Sequence, residues 1–192
     1  MNKNGLGSAV QLVQLVVGEV LGAGGVAVDA TAGNGYDTLF LARQVGSSGV
    51  VYAFDVQEEA LRATKRLLAD HGVGEQVVLL NHGHEEIGRW VTGPVDGVIF
   101  NLGYLPGGSH DLLTKPETTV LAVEEAVRLL RPGGRIGVVV YTGHPGGPEE
   151  LRTLEEFARS LDPSGFSTLQ VNYLNRSAQA PVIIFVEKAR SS

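Results

Sequence analysis

The stretch Val26-Ala-Val-Asp-Ala-Thr-Ala-Gly-Asn-Gly-Tyr-Asp-Thr-Leu-Phe-Leu-Ala42 decides the fold. Its first part, Val26–Ala30, is a short apolar run that reads as a strand. Asp37–Gln44 reads as a helix, and a glycine loop joins the two. In that strand–turn–helix context a glycine loop is informative. Gly33 and Gly35 let the backbone approach a ligand, and the following helix points its first N–H groups at it. Thr38 stands where a dinucleotide fingerprint has its third glycine, and no Gly-Lys-Ser/Thr follows, which rules out a phosphate P-loop. Asp29 is awkward for a pyrophosphate and suits a ligand that carries a cationic amine.

Working outward, the alternation repeats. Val50–Asp55, Val77–Asn81, Val95–Asn101 and Arg135–Tyr141 read as strands. Gln57–His71, Pro116–Leu130 and Pro148–Leu161 read as helices, and Arg131-Pro-Gly-Gly134 stops the second of these. Strands alternating with long helices imply parallel pairing in an α/β, doubly wound sheet. The strands are near-continuous apolar runs, as expected when helices cover both faces. Thr168–Leu174 and Pro181–Lys188 have no helix between them and are expected as an antiparallel hairpin. Upstream, Ala9, Val13, Val16 and Val20 fall at helical spacing, so residues 1–22 are expected to hold an amphipathic helix packing on the single domain 1–192.

In such sheets ligands bind beyond the carboxyl ends of the strands, and the polar and glycine-rich segments follow strands one, two, four and five. Asp55 ends strand two, 20 residues after Gly35, the place of an acid that accepts hydrogen bonds from ribose hydroxyls. It also reads as a helix cap with Glu58 as partner. After strand four comes Asn101-Leu-Gly-Tyr104, then Leu-Pro-Gly-Gly108. The Asn101 amide and the Leu102 carbonyl can both accept from a substrate amine, and Tyr104 can stack on a base or cover the amine. His144, in Tyr141-Thr-Gly-His144, follows strand five as a proton acceptor or substrate contact. Lys115 and Arg176 are placed by topology where a polyanion would pass.

Composition narrows the classes. With 15 basic and 21 acidic residues the net charge is −6, which argues against coating nucleic acid by bulk charge. Cysteine is absent, so disulfides, thiolate zinc sites and cysteine nucleophiles are excluded, and a reducing, cytoplasmic setting is expected. His82, His84, His110 and His144 lack zinc spacing, so no metal is expected. The uncharged stretch Asn4–Gly18 is too short and too interrupted, by Gln11 and Gln14, to span a membrane, and it matches a signal peptide poorly.

Taken together, these segments resemble a class I S-adenosylmethionine-dependent methyltransferase. The resemblance implies a Rossmann-like, mostly parallel seven-stranded sheet with an antiparallel last strand. A narrower match rests on Asp29–Ala42, Phe100–Gly108, Thr114–Thr119 and Tyr141–His144. These strings are similar to the small bacterial family labelled “putative rRNA methylase”, and to the tRNA 5-(aminomethyl)-2-thiouridine methyltransferases that complete the methylaminomethyl group of the wobble uridine. Ser109 and Arg176 depart from the pattern, which has Asp and Gln there.

The resemblance implies S-adenosyl-L-methionine held by Asp29, Thr31, Gly33, Asn34, Gly35, Asp37, Thr38, Asp55, Gln57, His84, Glu85 and Asn101. It implies a substrate site of Leu102, Gly103, Tyr104, Pro106, Lys115 and Arg176, and catalysis by Asn101, Tyr104 and His144. The implied partner is the anticodon arm of tRNA, met by a homodimer. Methylation of rRNA or of a small amine, an NAD-dependent oxidoreductase (disfavoured by Thr38), and a tRNA-binding protein without catalysis remain open as alternatives.

Overall fold

A computed structural model describes residues 7–103 and 115–190, and Tyr104, Pro106, Ser109 and His110 lie outside them. Seven strands form one sheet in the order β3-β2-β1-β4-β5-β7-β6. The strands are β1 (Val26–Asp29), β2 (Val50–Phe54), β3 (Val77–Leu80), β4 (Val95–Leu102), β5 (Leu130–Val140), β6 (Phe166–Val171) and β7 (Val182–Lys188). β1 to β5 pair in parallel, while β7 is antiparallel to both β5 and β6. The doubly wound sheet and its reversed last strand are as expected from the sequence.

Helices cover both faces. On one lie α1 (Ala9–Gly18), α2 (Tyr36–Val45) and α3 (Glu58–Asp70); on the other lie α4 (Ile87–Trp90), α5 (Pro116–Leu129) and α6 (Gly147–Ser160). Successive strand side chains alternate between the two cores. Val98 and Phe100 join the α5–α6 side, whereas Ala27, Ile99 and Val139 join the α1–α2 side. By the same parity Asp29 and Asn101 belong to the α1–α2 face.

Helix α1 reaches that face because two strand residues have no side chain. A Cβ on Gly97 of β4 would stand 2.7 Å from Val17 Cγ1, and one on Gly137 of β5 would stand 2.6 Å from Val13 Cγ1. The helix buries Ala9, Val13 and Val17, with Val16 packed beside them; it ends at Gly18, so Val20 falls outside the expected stripe. Two arginines tie down its end. Arg135 donates to the Val16 carbonyl at 2.8 Å and pairs with Glu19, and Arg131 donates to the Val20 carbonyl at 2.8 Å while pairing with Asp96. Cations at a helix C-terminus satisfy free carbonyls and oppose the helix dipole.

Three segments depart from the expected boundaries. Pairing of β5 with β4 already starts at Leu130; the register shifts between Val95 and Gly97, so Arg131–Gly134 loops out within the strand instead of preceding it. Strand β6 runs Phe166–Val171, because its partner residues end at Ile183, and Leu174 is fully exposed. Between β3 and β4 a 3-10 turn (His84–Glu86) and the one-turn α4 stand where the sequence suggested only loop. Four residues are too few to show a helical period.

Candidate active site

A cleft of about 820 Å³ opens at the carboxyl ends of the parallel strands. Its walls come from the loops after β1, β2, β3, β4 and β5, with Val10 of α1, Lys115 and Thr118 at the start of α5, and Gln179 between β6 and β7. The convergence expected from strand ends is therefore present, and β3 contributes as well.

The loop after β1 is shaped from below. Asp29 is fully buried and outside the cleft lining. Its Oδ1 accepts the Thr31 N–H at 3.1 Å and its Oδ2 accepts the Thr38 hydroxyl at 2.6 Å. Burial, with the Asp37 carboxylate near, pushes its pKa up to about 7. Asp29 and Thr38 thus brace the loop from beneath the cleft. Gly35 is also outside the lining. It has φ +84°, and a Cβ there would stand 2.8 Å from Thr64 Cα. Its small size serves the packing of α3 on the loop. Gly33, Asn34 and Thr31 do line the cleft. The Thr31 hydroxyl accepts the Asn101 N–H at 2.7 Å, fastening the first loop to the end of β4.

Asp55 stands at the cleft wall after β2. It accepts the Gly33 N–H on Oδ2 at 2.9 Å and the Gln57 N–H on Oδ1 at 2.8 Å. A carboxylate has about four acceptor positions, so each oxygen keeps a further lone pair. Burial raises its pKa, and the two backbone donors pull it back. The cap position of α3 is Gln57, so Asp55 supports that helix without being its cap. Gln57 and Glu85 line the same wall.

His84 is buried in the 3-10 turn, edge-on to Phe100 at 5.9 Å. It hydrogen-bonds the Ala30 backbone, whose N–H is already given to Ile99, so the ring donates to the carbonyl. Burial holds its pKa below the usual value, which leaves the ring neutral. Nε2, buried and without a partner among the described residues, is then an acceptor in the cleft wall. His82 is separately engaged, with Glu86 at 3.1 Å and Trp90 at 4.6 Å between rings. Among the described residues no three His, Asp or Glu side chains gather as a metal site.

Asn101, at the end of β4, forms the centre of the cleft. Its amide hydrogen-bonds Asp37, the first-turn acid of α2. Since the amide oxygen has no partner among the described residues, it is the nitrogen that meets the Asp37 carboxyl. Asn101 Oδ1 is buried and has no partner among the described residues. Asp37 also accepts from Gln14 Nε2 at 2.7 Å; burial raises its pKa and the two amides lower it. Leu102, Gly103, Lys115 and His144 line the cleft as well. His144 Nδ1 is 2.9 Å from the Pro145 carbonyl. Arg176 is not in the lining; it donates to the Gly7 carbonyl at 2.8 Å and lies 3.8 Å over the Tyr173 ring.

Val10, Tyr36, Tyr141 and Gln179 line the cleft without being expected there from the sequence, and Gln14 stands behind the wall, bonded to Asp37. The available signal is Gln14, one of two polar residues, with Gln11, in an otherwise apolar helix.

Residues 51–187 match the family described as “Putative rRNA methylase”. The chain is 42% identical over 191 residues to “tRNA (mnm(5)s(2)U34)-methyltransferase, chloroplastic” of Arabidopsis thaliana, covering 94% of this chain and 69% of that one. Among solved structures, a putative rRNA methylase from Clostridium thermocellum superposes with TM-score 0.91 at 37% identity, covering 98% of this chain and 99% of that one. A putative methyltransferase from Streptococcus mutans in complex with SAH superposes with TM-score 0.87 at 36% identity, covering 96% and 99%. With its sheet order, its reversed last strand and these matches, the chain belongs to the “Putative rRNA methylase” family of Rossmann-like methyltransferases.

Proposed function

We propose that this protein is an S-adenosylmethionine-dependent N-methyltransferase that converts the aminomethyl group of a tRNA wobble 2-thiouridine to methylaminomethyl. The observation that carries the reading is Asn101 Oδ1, a buried acceptor with no partner among the described residues, fixed at the head of a nucleoside-sized cleft. The activity for which the Arabidopsis relative is named supports the same substrate.

The cleft fits the cofactor. Asp55 has lone pairs left for two ribose hydroxyls, and His84 Nε2 is an acceptor for an amino group of a base. Thr31, Gly33, Asn34, Gln57 and Glu85 supply the remaining wall. When bound, S-adenosylmethionine supplies an electrophilic methyl group on a sulfonium.

The chain's own work is positioning. Asn101 Oδ1 and the Leu102 carbonyl accept from the aminomethyl N–H groups, which aims the nitrogen lone pair along the displacement line. Holding reactants in line contributes several kcal/mol, up to about 7–11. The nitrogen must be neutral to attack. Burial in the cleft favours the neutral amine. Once methylated, the nitrogen would carry a positive charge and shed a proton, for which His144 would be the acceptor. Tyr104 and Pro106 belong to the substrate side of this reading, with Lys115 positioned for the phosphate backbone of the anticodon arm. A homodimer in the cytoplasm is part of the proposal, since one chain offers an anticodon arm little surface.

Transfer of labelled methyl to tRNA whose wobble uridines stop at the aminomethyl stage tests it, with unmodified tRNA and ribosomal RNA alongside. Label recovered as the methylaminomethyl nucleoside is expected. Label in ribosomal RNA alone would retire the substrate and keep the chemistry.

A further inference from the structure

Helix α1 lies outside the 51–187 stretch that matches the family, yet it reaches the cleft. Val13 and Val17 seat it on Gly137 and Gly97, on the sheet face that also carries Asn101. Gln14 follows Val13 and is half-buried; its Nε2 donates to Asp37 Oδ1 at 2.7 Å. Asp37 itself is buried in the cleft wall and takes a second amide donation, from Asn101.

The two ends of an asparagine amide are nearly equal in shape, so sterics alone do not choose which end faces a ligand. Here the choice is made by Asp37. While ionised it accepts the Asn101 nitrogen, and Oδ1 is left in the cleft without a partner among the described residues. A flipped amide would set oxygen against carboxylate. Asp37 can make the choice only if it stays in place and stays charged despite burial. The Gln14 donor holds Asp37 in place and opposes the rise that burial gives its pKa.

We propose that Gln14 is a positioning residue of the methyl-transfer site: through Asp37, it sets the Asn101 amide with its oxygen toward the substrate amine. This rests on the N-methyltransferase reading above.

Among the described residues, the ionisable groups facing Asp37 are Asp29 from β1 and Tyr141 after β5; α1 brings none. Gln14→Met keeps side-chain length and removes the donor. Methyl transfer to aminomethyl tRNA is expected to fall about tenfold in kcat. KM for tRNA and the calorimetric Kd for SAH should stay within about twofold, since neither ligand touches Gln14 in this proposal. The acid limb of the kcat–pH profile should move up, because the lost donor no longer lowers the Asp37 pKa. The amine's own ionisation is the same in both proteins. Wild-type kcat with an unmoved limb in Gln14→Met overturns the proposal, as does a loss confined to SAH affinity. A wild-type protein that binds SAH and transfers no methyl to aminomethyl tRNA overturns the N-methyltransferase reading instead, and this role for Gln14 falls with it.

Discussion

The Thr38 hydroxyl donates to Asp29 Oδ2 at 2.6 Å, and both side chains are closed off from solvent. They stand nine positions apart, and between them runs the whole glycine loop. The contact therefore sets where the loop turns back into α2. Removing the donor leaves a buried carboxylate oxygen short of a partner, at about 1–3 kcal/mol. Thr38→Val, which keeps the shape, should lose that much stability in urea denaturation. An unchanged midpoint would mean that the loop holds itself without the clamp.

The same carboxyl makes stability depend on pH. Asp29 has a folded pKa of about 7 against an ordinary 3.8, so between those values the folded state holds a proton that the unfolded chain has released. Stability then falls as pH rises through this window. The contribution is complete below about pH 4 and gone above about pH 7. Asp29→Asn keeps the shape without the ionisation and should flatten the curve. The check is urea denaturation of both proteins from pH 5 to pH 8; parallel curves would place the pH dependence elsewhere.

The alternation of strands and helices was legible because each strand is an apolar run closed by glycine or a polar residue, and sheet order follows from that alternation. The roles of individual loop residues were less legible. Asp29 and Asp55 both end strands, and nothing local says that one turns inward to clamp the loop while the other faces the cleft. That difference is the side-chain parity of β1 against the position just past β2. Gln14 was hidden for another reason. Its partner lies 23 residues away on another helix, and that docking depends on Gly97 and Gly137, distant from both. Pairing between remote segments leaves no periodic mark.

Asp55 joins two jobs, and substitution should separate them. Its oxygens hold the Gly33 and Gln57 N–H groups and, in the proposed function, the ribose hydroxyls. Asp55→Ala should weaken SAH binding by at least about tenfold, equivalent to one lost hydrogen bond to a charged group of about 1.5–3 kcal/mol. Asp55→Asn can keep one backbone acceptor and should fall between the two. Calorimetry measures both, and an unchanged Kd in Asp55→Ala would remove it from the cofactor site.

The docking of α1 predicts a sharp response to one methyl group. At Gly137 an added Cβ meets Val13 Cγ1 at 2.6 Å and Val17 Cγ2 at 3.2 Å, both in a filled core. Gly137→Ala should cost about 1–3 kcal/mol by overpacking. Pairing it with Val13→Ala makes room and should recover part of the loss. A double variant less stable than the sum of the single ones would contradict this contact.

Asn101 offers the most direct test of the chemistry. In the proposed function its side chain aims the nucleophile. Asn101→Ala removes both the bond to Asp37 and the acceptor in the cleft, and a misplaced nucleophile costs about a hundredfold. Turnover on aminomethyl tRNA should fall by that much while the Kd for SAH stays within a few fold. Asn101→Asp keeps an acceptor but sets a second carboxylate against Asp37, so one of the two must take a proton. Its residual activity should rise toward low pH relative to the wild type. Single-turnover methyl transfer measured across pH reads both effects. An Asn101→Ala protein with near-normal turnover would mean that the amine is held by groups other than this amide.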